Sequence, residues 1–103
     1  MEVDCQSLTQ VRAHIDRLDR QLVALLAERG AFVAQAARFK SDTDEVRAPQ
    51  RVEQVIAKVR ELSRELGADP EVTEQVYRSM IAAFIRAELA EHAALAQRPT
   101  EPQ

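Results

Sequence analysis

The sequence predicts an all-α fold of three helices, one of them very long, that form an intertwined homodimeric helical bundle. Three observations carry the prediction. Glycine is almost absent, with two residues in 103, and β-branched residues are scattered rather than alternating, which argues against strands and their turns. Apolar residues recur at helical spacing from Val11 through Ile15, Leu18, Leu22, Leu25, Leu26, Phe32 and Val33 to Ala36. Helix start and stop signals fall where those runs begin and end.

The first helix is expected over about 8–40, behind an N-terminal tail at 1–6. Ser7-Leu8-Thr9-Gln10 has the S-x-x-Q form of a capping box, in which a hydroxyl and an amide satisfy the free amide groups of the first turn. Ser41 to Pro49 is polar and reads as a loop. The second helix is expected over about 49–66, with Pro49 in its first turn, with Arg51, Val55, Val59, Leu62 and Leu66 on one face, and with Gly67 as its stop. Asp69-Pro70 opens the third helix, about 70–95, whose stripe is Val72, Val76, Tyr77, Met80, Ile81, Phe84, Ile85 and Leu89. A proline-containing tail takes 96–103. The whole chain reads as one domain, 1–103.

Length turns this list of helices into a statement about assembly. At 1.5 Å per residue the first helix is about 45–50 Å long, whereas a compact globule of 103 residues is about 33 Å across. Its own chain cannot cover that stripe. A second copy related by a two-fold axis is the economical cover.

Composition excludes several classes of function. A net charge of -3 and a pI near 5.4 give no general attraction for nucleic acid or an acidic membrane. The N-terminus lacks the basic start and apolar run of a signal peptide, and no apolar stretch approaches a bilayer span of about 20 residues, so a cytoplasmic location is expected. The single cysteine, Cys5, cannot form an internal disulfide and lies in the tail, away from the setting a catalytic thiol needs. His14 and His92 fall on different helices without Glu-x-x-His partners, so no metal is expected. No cofactor is called for either.

Against that background the cations on the apolar faces stand out. Arg29 and Lys40 lie eleven residues apart, close to three full turns, so a continuous helix puts them on one face about 16 Å apart. A guanidinium facing inward costs several kcal/mol unless something anionic meets it. Arg12 lies seventeen residues before Arg29, about 25 Å away and about 100° round the helix, and reaches such a site only from the partner of an antiparallel dimer. Arg51 follows the loop directly, and Glu88 follows Phe84 by one turn on the third helix. Three arginines, a lysine and one inward carboxyl group describe a cage for a small dianion, since arginine forks match carboxylates bidentately. The plainer alternatives are that Arg12 and Arg51 pair with Asp16 and Glu53, and that Glu88 pairs with His92. Arg17, Arg20, Arg60, Arg64, Arg78 and Arg86 read as exposed.

The run Val11-Arg12, Ile15-Asp16, Leu18-Asp19, Glu28-Arg29, Arg38-Phe39-Lys40, Ala48-Pro49-Gln50-Arg51-Val52 and Ile81 to Glu88 resembles the all-helical class of chorismate mutases. It is most similar to the branch that contains the isochorismate-pyruvate lyases. The resemblance implies that Arg29 and Arg51 of one chain, with Arg12 of its partner, hold substrate carboxylates. Lys40 would sit at the ether oxygen between ring and enolpyruvyl group, and Glu88 would take the place where many relatives have glutamine on the other side of that oxygen. Two residues depart from the pattern. A glutamate donates to the ether oxygen only when protonated, so activity is expected to fall as pH rises. Val52 stands where many biosynthetic mutases have a glutamate that reads the ring hydroxyl, which leaves the lyase branch open. The activity implied first is the pericyclic rearrangement of chorismate to prephenate. Elimination of pyruvate from isochorismate to leave salicylate is the alternative, a mutase acting on an amino analogue of chorismate is another, and a non-enzymatic helical dimerisation module is the reading outside enzymes.

Overall fold

The computed structural model describes residues 4–96, with side chains described through 94. Residues 1–3 of the expected N-terminal tail and 97–103 of the expected C-terminal tail lie outside the described residues. Four helices follow in order, α1 Leu8–Ala37, α2 Thr43–Arg47, α3 Pro49–Leu66 and α4 Pro70–Ala96, with no strand among the described residues. Packing divides the chain into two units, Met1–Val33 and Ala34–Gln103, so that the division falls within α1. None of the helices described is long and apolar enough to cross a membrane.

In the N-terminal unit Ser7 caps α1 as the sequence suggests, while the Gln10 side chain reaches past Ser7 to the residue before it. Ser7 Oγ accepts from the Gln10 amide at 3.1 Å, and Gln10 Oε1 accepts from the Gln6 amide at 2.7 Å. The helix that follows holds no buried residue. Its apolar stripe is present but uncovered: Leu22, Leu25 and Phe32 are 57%, 59% and 63% exposed, and Val11, Ile15, Leu18 and Leu26 are exposed as well.

The C-terminal unit begins with a correction. The expected helix to Lys40 ends at Ala37, and the amides of Arg38, Phe39 and Lys40 then bond the carbonyls of Gln35, Ala36 and Ala37, three residues back rather than four. The cause lies one residue further on. The Ser41 amide and hydroxyl are both taken by the Glu45 carboxylate, at 3.2 and 2.6 Å, so the chain leaves the helical path. A position counted at 100° per residue therefore does not describe Lys40, and the helical face expected to join it to Arg29 stops short of it.

The expected loop 41–49 contains α2. Asp42 caps it, accepting from the Glu45 amide at 2.8 Å, while Glu45 reaches back to Ser41. Val46 is 2% exposed, the most deeply buried side chain described, and α2 packs on α4. Ala48 closes α2 and opens α3 in the left-handed region, at φ 38 and ψ 60, ahead of Pro49. A Cβ in that region is strained.

Pairs Glu53 with Arg78 and Arg60 with Glu71 and Glu74 run in opposite directions along the chain, so α3 and α4 form an antiparallel hairpin. Gly67, at φ 79, ends α3 with its amide on Ser63 O, and Asp69 Oδ1 accepts from the Glu71 amide at 2.9 Å to start α4. The buried face of α3 is Ile56, Val59 and Ser63, with Ser63 Oγ donating to Val59 O. The expected stripe shares the buried Val59 and the half-buried Val55 with this face and departs from it at its ends: Leu62 and Leu66 are exposed, and Arg51 with them, because α4 packs on the neighbouring face. Of the arginines expected to be exposed, Arg60 is half-buried instead, its guanidinium held at 2.7 Å from both Glu71 and Glu74.

Arg78 binds Glu53 through two nitrogens at 2.9 Å and reaches Glu74 at 2.7 Å. Its hydrogen bonds hold the Glu53 carboxyl below the ordinary value near 4.5, and with Arg60 they lower Glu74 likewise. A carboxyl group lowered on folding stabilises above its ordinary value, and that contribution is lost as pH falls through its value in the folded chain. Thermal denaturation should therefore show Tm falling from about pH 5 to about pH 3. The Arg78→Ala variant should start lower and lose less over the same window.

Candidate functional site

The five residues proposed from sequence fall into both units. Arg12 and Arg29 belong to the N-terminal one, on α1, where Arg12 is exposed and Arg29 half-buried. Lys40, Arg51 and Glu88 belong to the C-terminal one. Of these the structure brings together Lys40 and Glu88, forty-eight residues apart in sequence: Lys40 Nζ donates to Glu88 Oε2 at 3.4 Å.

Each partner of that pair is delivered by a different device. Glu88 projects from the middle of α4 and its side chain is 9% exposed, a burial that a carboxyl group tolerates only with a donor beside it. Lys40 supplies the donor from the turn after α1, and its side chain is 24% exposed. The pair is long for a charge-assisted bond and is half-sheltered, which leaves the ammonium with hydrogen atoms to give elsewhere. At 3.4 Å no atom fits between the two, so an incoming oxygen meets the ammonium beside this bond or parts it.

Arg51 stands in the first turn of α3, which carries no acidic residue. A cation there opposes the helix dipole, so helix stability does not account for its position. It is exposed and makes no ion pair among the described residues; the alternative partner Glu53 is occupied by Arg78. The other plain alternatives fail in the same way. Glu88 meets Lys40 rather than His92, and Arg12 forms no ion pair with Asp16. Beside Arg51, Val52 is half-buried and lines a concavity of about 430 Å³ with Arg47, Pro49, Ile85, Arg86 and Leu89. Among the described residues no group of three His, Cys, Asp or Glu side chains is disposed to hold a metal ion.

Sequence reasoning missed the part played by Ser41, Asp42, Glu45 and Val46, which build α2 directly after Lys40. The signal was present. Asp42-Thr43-Asp44-Glu45 has the D-x-x-E spacing of a helix start, but a five-residue helix is too short to show apolar periodicity.

The arrangement makes a stability prediction. Lys40→Met keeps the aliphatic stem but leaves Glu88 buried without its cation, which should cost about 1–3 kcal/mol in urea denaturation. Adding Glu88→Gln to that variant should restore most of the loss.

The sequence matches the profile of the family described as chorismate mutase type II over residues 11–89. It is 32% identical over 82 residues to the isochorismate pyruvate lyase of Pseudomonas aeruginosa, an alignment that spans 80% of this chain and 81% of that protein.

Proposed function

Because this chain belongs to the type II chorismate mutase family, which makes it an isomerase or lyase of that kind, we propose that it catalyses the rearrangement of chorismate to prephenate. The observation that carries the reading is the sheltered Lys40 and Glu88 pair, a cation and a carboxyl group from distant parts of the chain brought within 3.4 Å of one another. In the reaction the ether C–O bond breaks as a C–C bond forms between the enolpyruvyl arm and the ring, with no covalent intermediate on the protein. Lys40 stabilises the negative charge that develops on the ether oxygen, and Glu88 faces that oxygen from the other side, where a carboxyl group donates only in its protonated form. Arg29 and Arg51 hold the substrate carboxylates and thereby the arm over the ring. Neither a metal nor a cofactor takes part.

The same reading includes a cytoplasmic homodimer in which Arg12 of one protomer completes the site of the other. Exposed leucines and a phenylalanine along α1 support it, since that surface is costly in water and a second α1 of the same pattern can cover it. Arg12, exposed on the same helix, is then carried to the partner's site.

A second reading, elimination of pyruvate from isochorismate to give salicylate, is favoured by two observations. The Pseudomonas relative carries that activity in its name, and the position of Val52 offers no polar atom to read a ring hydroxyl. Incubating the protein with chorismate and isochorismate in parallel separates the two. Prephenate from chorismate supports the mutase, salicylate fluorescence from isochorismate supports the lyase, and no turnover of either would leave the helical dimerisation module.

Variants at two positions test the named roles. Arg29→Lys keeps the charge but loses the fork, and kcat/KM should fall at least ~100-fold, about 2.7 kcal/mol. Near-native turnover would remove Arg29 from the site. Glu88→Gln keeps a donor at that place and should retain turnover, whereas Glu88→Ala should lose at least ~10-fold in kcat, about 1.4 kcal/mol.

A further inference from the structure

The chain from Ser41 to Val46 joins the turn that carries Lys40 to the helix that carries Glu88. Glu45 is at the centre of it. Its two carboxylate oxygens take separate donors from one residue, the Ser41 amide at 3.2 Å and the Ser41 hydroxyl at 2.6 Å, while its own amide gives to Asp42 Oδ1 at 2.8 Å. The next residue, Val46, is 2% exposed and belongs to the helix that packs on α4. Ser41 thus ties the residue after Lys40 to Glu45, and Val46 ties Glu45 to the helix of Glu88.

Asp42 caps α2, and Glu45 reaching back to Ser41 completes that helix start, but the two bonds to Ser41 also fall directly after Lys40. They also fix the direction in which the backbone leaves Lys40, whose own amide is held on Ala37 O and whose side chain reaches Glu88. A lysine has four rotatable bonds, so its ammonium is placed only as well as its backbone is.

We propose that Glu45 is a positioning residue for Lys40, acting through Ser41 to hold the ammonium against Glu88. The proposal rests on the functional reading above, in that it assigns Glu45 a part in the same site, but its structural half can be read without substrate. Glu45 is exposed, and its carboxylate bonds Ser41 while Lys40 pairs with Glu88. Its influence should therefore show in kcat and in the pair itself.

The test uses Glu45→Ala, Ser41→Ala, the double variant and Glu45→Gln. With whichever substrate the parent turns over, Glu45→Ala should lower kcat roughly ten-fold with KM changed less than about two-fold. Ser41→Ala, which loses only the hydroxyl, should lower it less, and its penalty should vanish in the Glu45→Ala background. Glu45→Gln keeps an acceptor for the Ser41 amide and should recover most of the rate. In the ligand-free protein the ¹⁵N–¹H signal of the Lys40 ammonium, assigned by its shift on Glu88→Gln, should move in the same direction in Glu45→Ala. Native kcat in Glu45→Ala, additive penalties, or an unmoved Lys40 signal would each overturn the proposal. If the parent is inactive on both chorismate and isochorismate, the functional reading fails and the Lys40 signal alone decides the positioning.

Discussion

The constraint on which the rest depends is the uncovered apolar face of α1. A thirty-residue helix, about 45 Å long, carries leucine, isoleucine, valine and phenylalanine at helical spacing, and none of its side chains is buried. Covering six to eight of them would be worth on the order of 10 kcal/mol, comparable with the whole stability of a domain this size. The proposed dimer follows from that imbalance. It also gives a reason for Arg12 to sit where it does, on a helix whose neighbours in its own unit offer it neither burial nor an anion.

The second unit is organised by different forces. Its helices α3 and α4 are joined by a small apolar core at Ile56 and Val59 and by a row of ion pairs along one flank, Arg60 with Glu71 and Glu74, then Arg78 with Glu74 and Glu53. Exposed ion pairs contribute little individually, and their use here is to fix the register of the hairpin. Register matters because Arg51 and Glu88 ride on these two helices, so a slip of one turn would shift one relative to the other by about 5.4 Å. The strained Ala48 backbone sits at the same end, between α2 and α3, where a sharp change of direction lets α2 reach α4 while α3 starts at Pro49.

Most of the fold was legible in the sequence. The bounds of α3 and α4 follow from Pro49, Gly67 and Asp69-Pro70, residues whose backbone chemistry acts locally and needs no knowledge of tertiary contacts. Ser7 and Gln10 act in the same local way. What escaped was set by contacts beyond the helix concerned. The stripe expected on α3 contains the buried Val59 but also Leu62 and Leu66 in place of Ile56 and Ser63, because these residues do not differ enough in polarity pattern to choose a face, and only the position of α4 does. Lys40 was placed on α1 by periodicity, although the competing acceptor that ends the helix is a side chain five residues ahead. For the site, the resemblance to chorismate mutases puts Lys40 and Glu88 on either side of a substrate oxygen; the structure shows the two side chains in contact. Periodicity alone would not have joined residues so distant in sequence.

Arg12 is the residue that makes the proposed site a property of two chains rather than one, and its placement can be tested by mixing. Arg12→Ala and Arg51→Ala should each be nearly inactive alone. Unfolded together in equal amounts and refolded, they should recover about a quarter of the parent activity, because half of the dimers are mixed and each mixed dimer holds one intact site out of two. No recovery from a mixture shown to contain mixed dimers, or full activity of Arg12→Ala alone, would contradict the account.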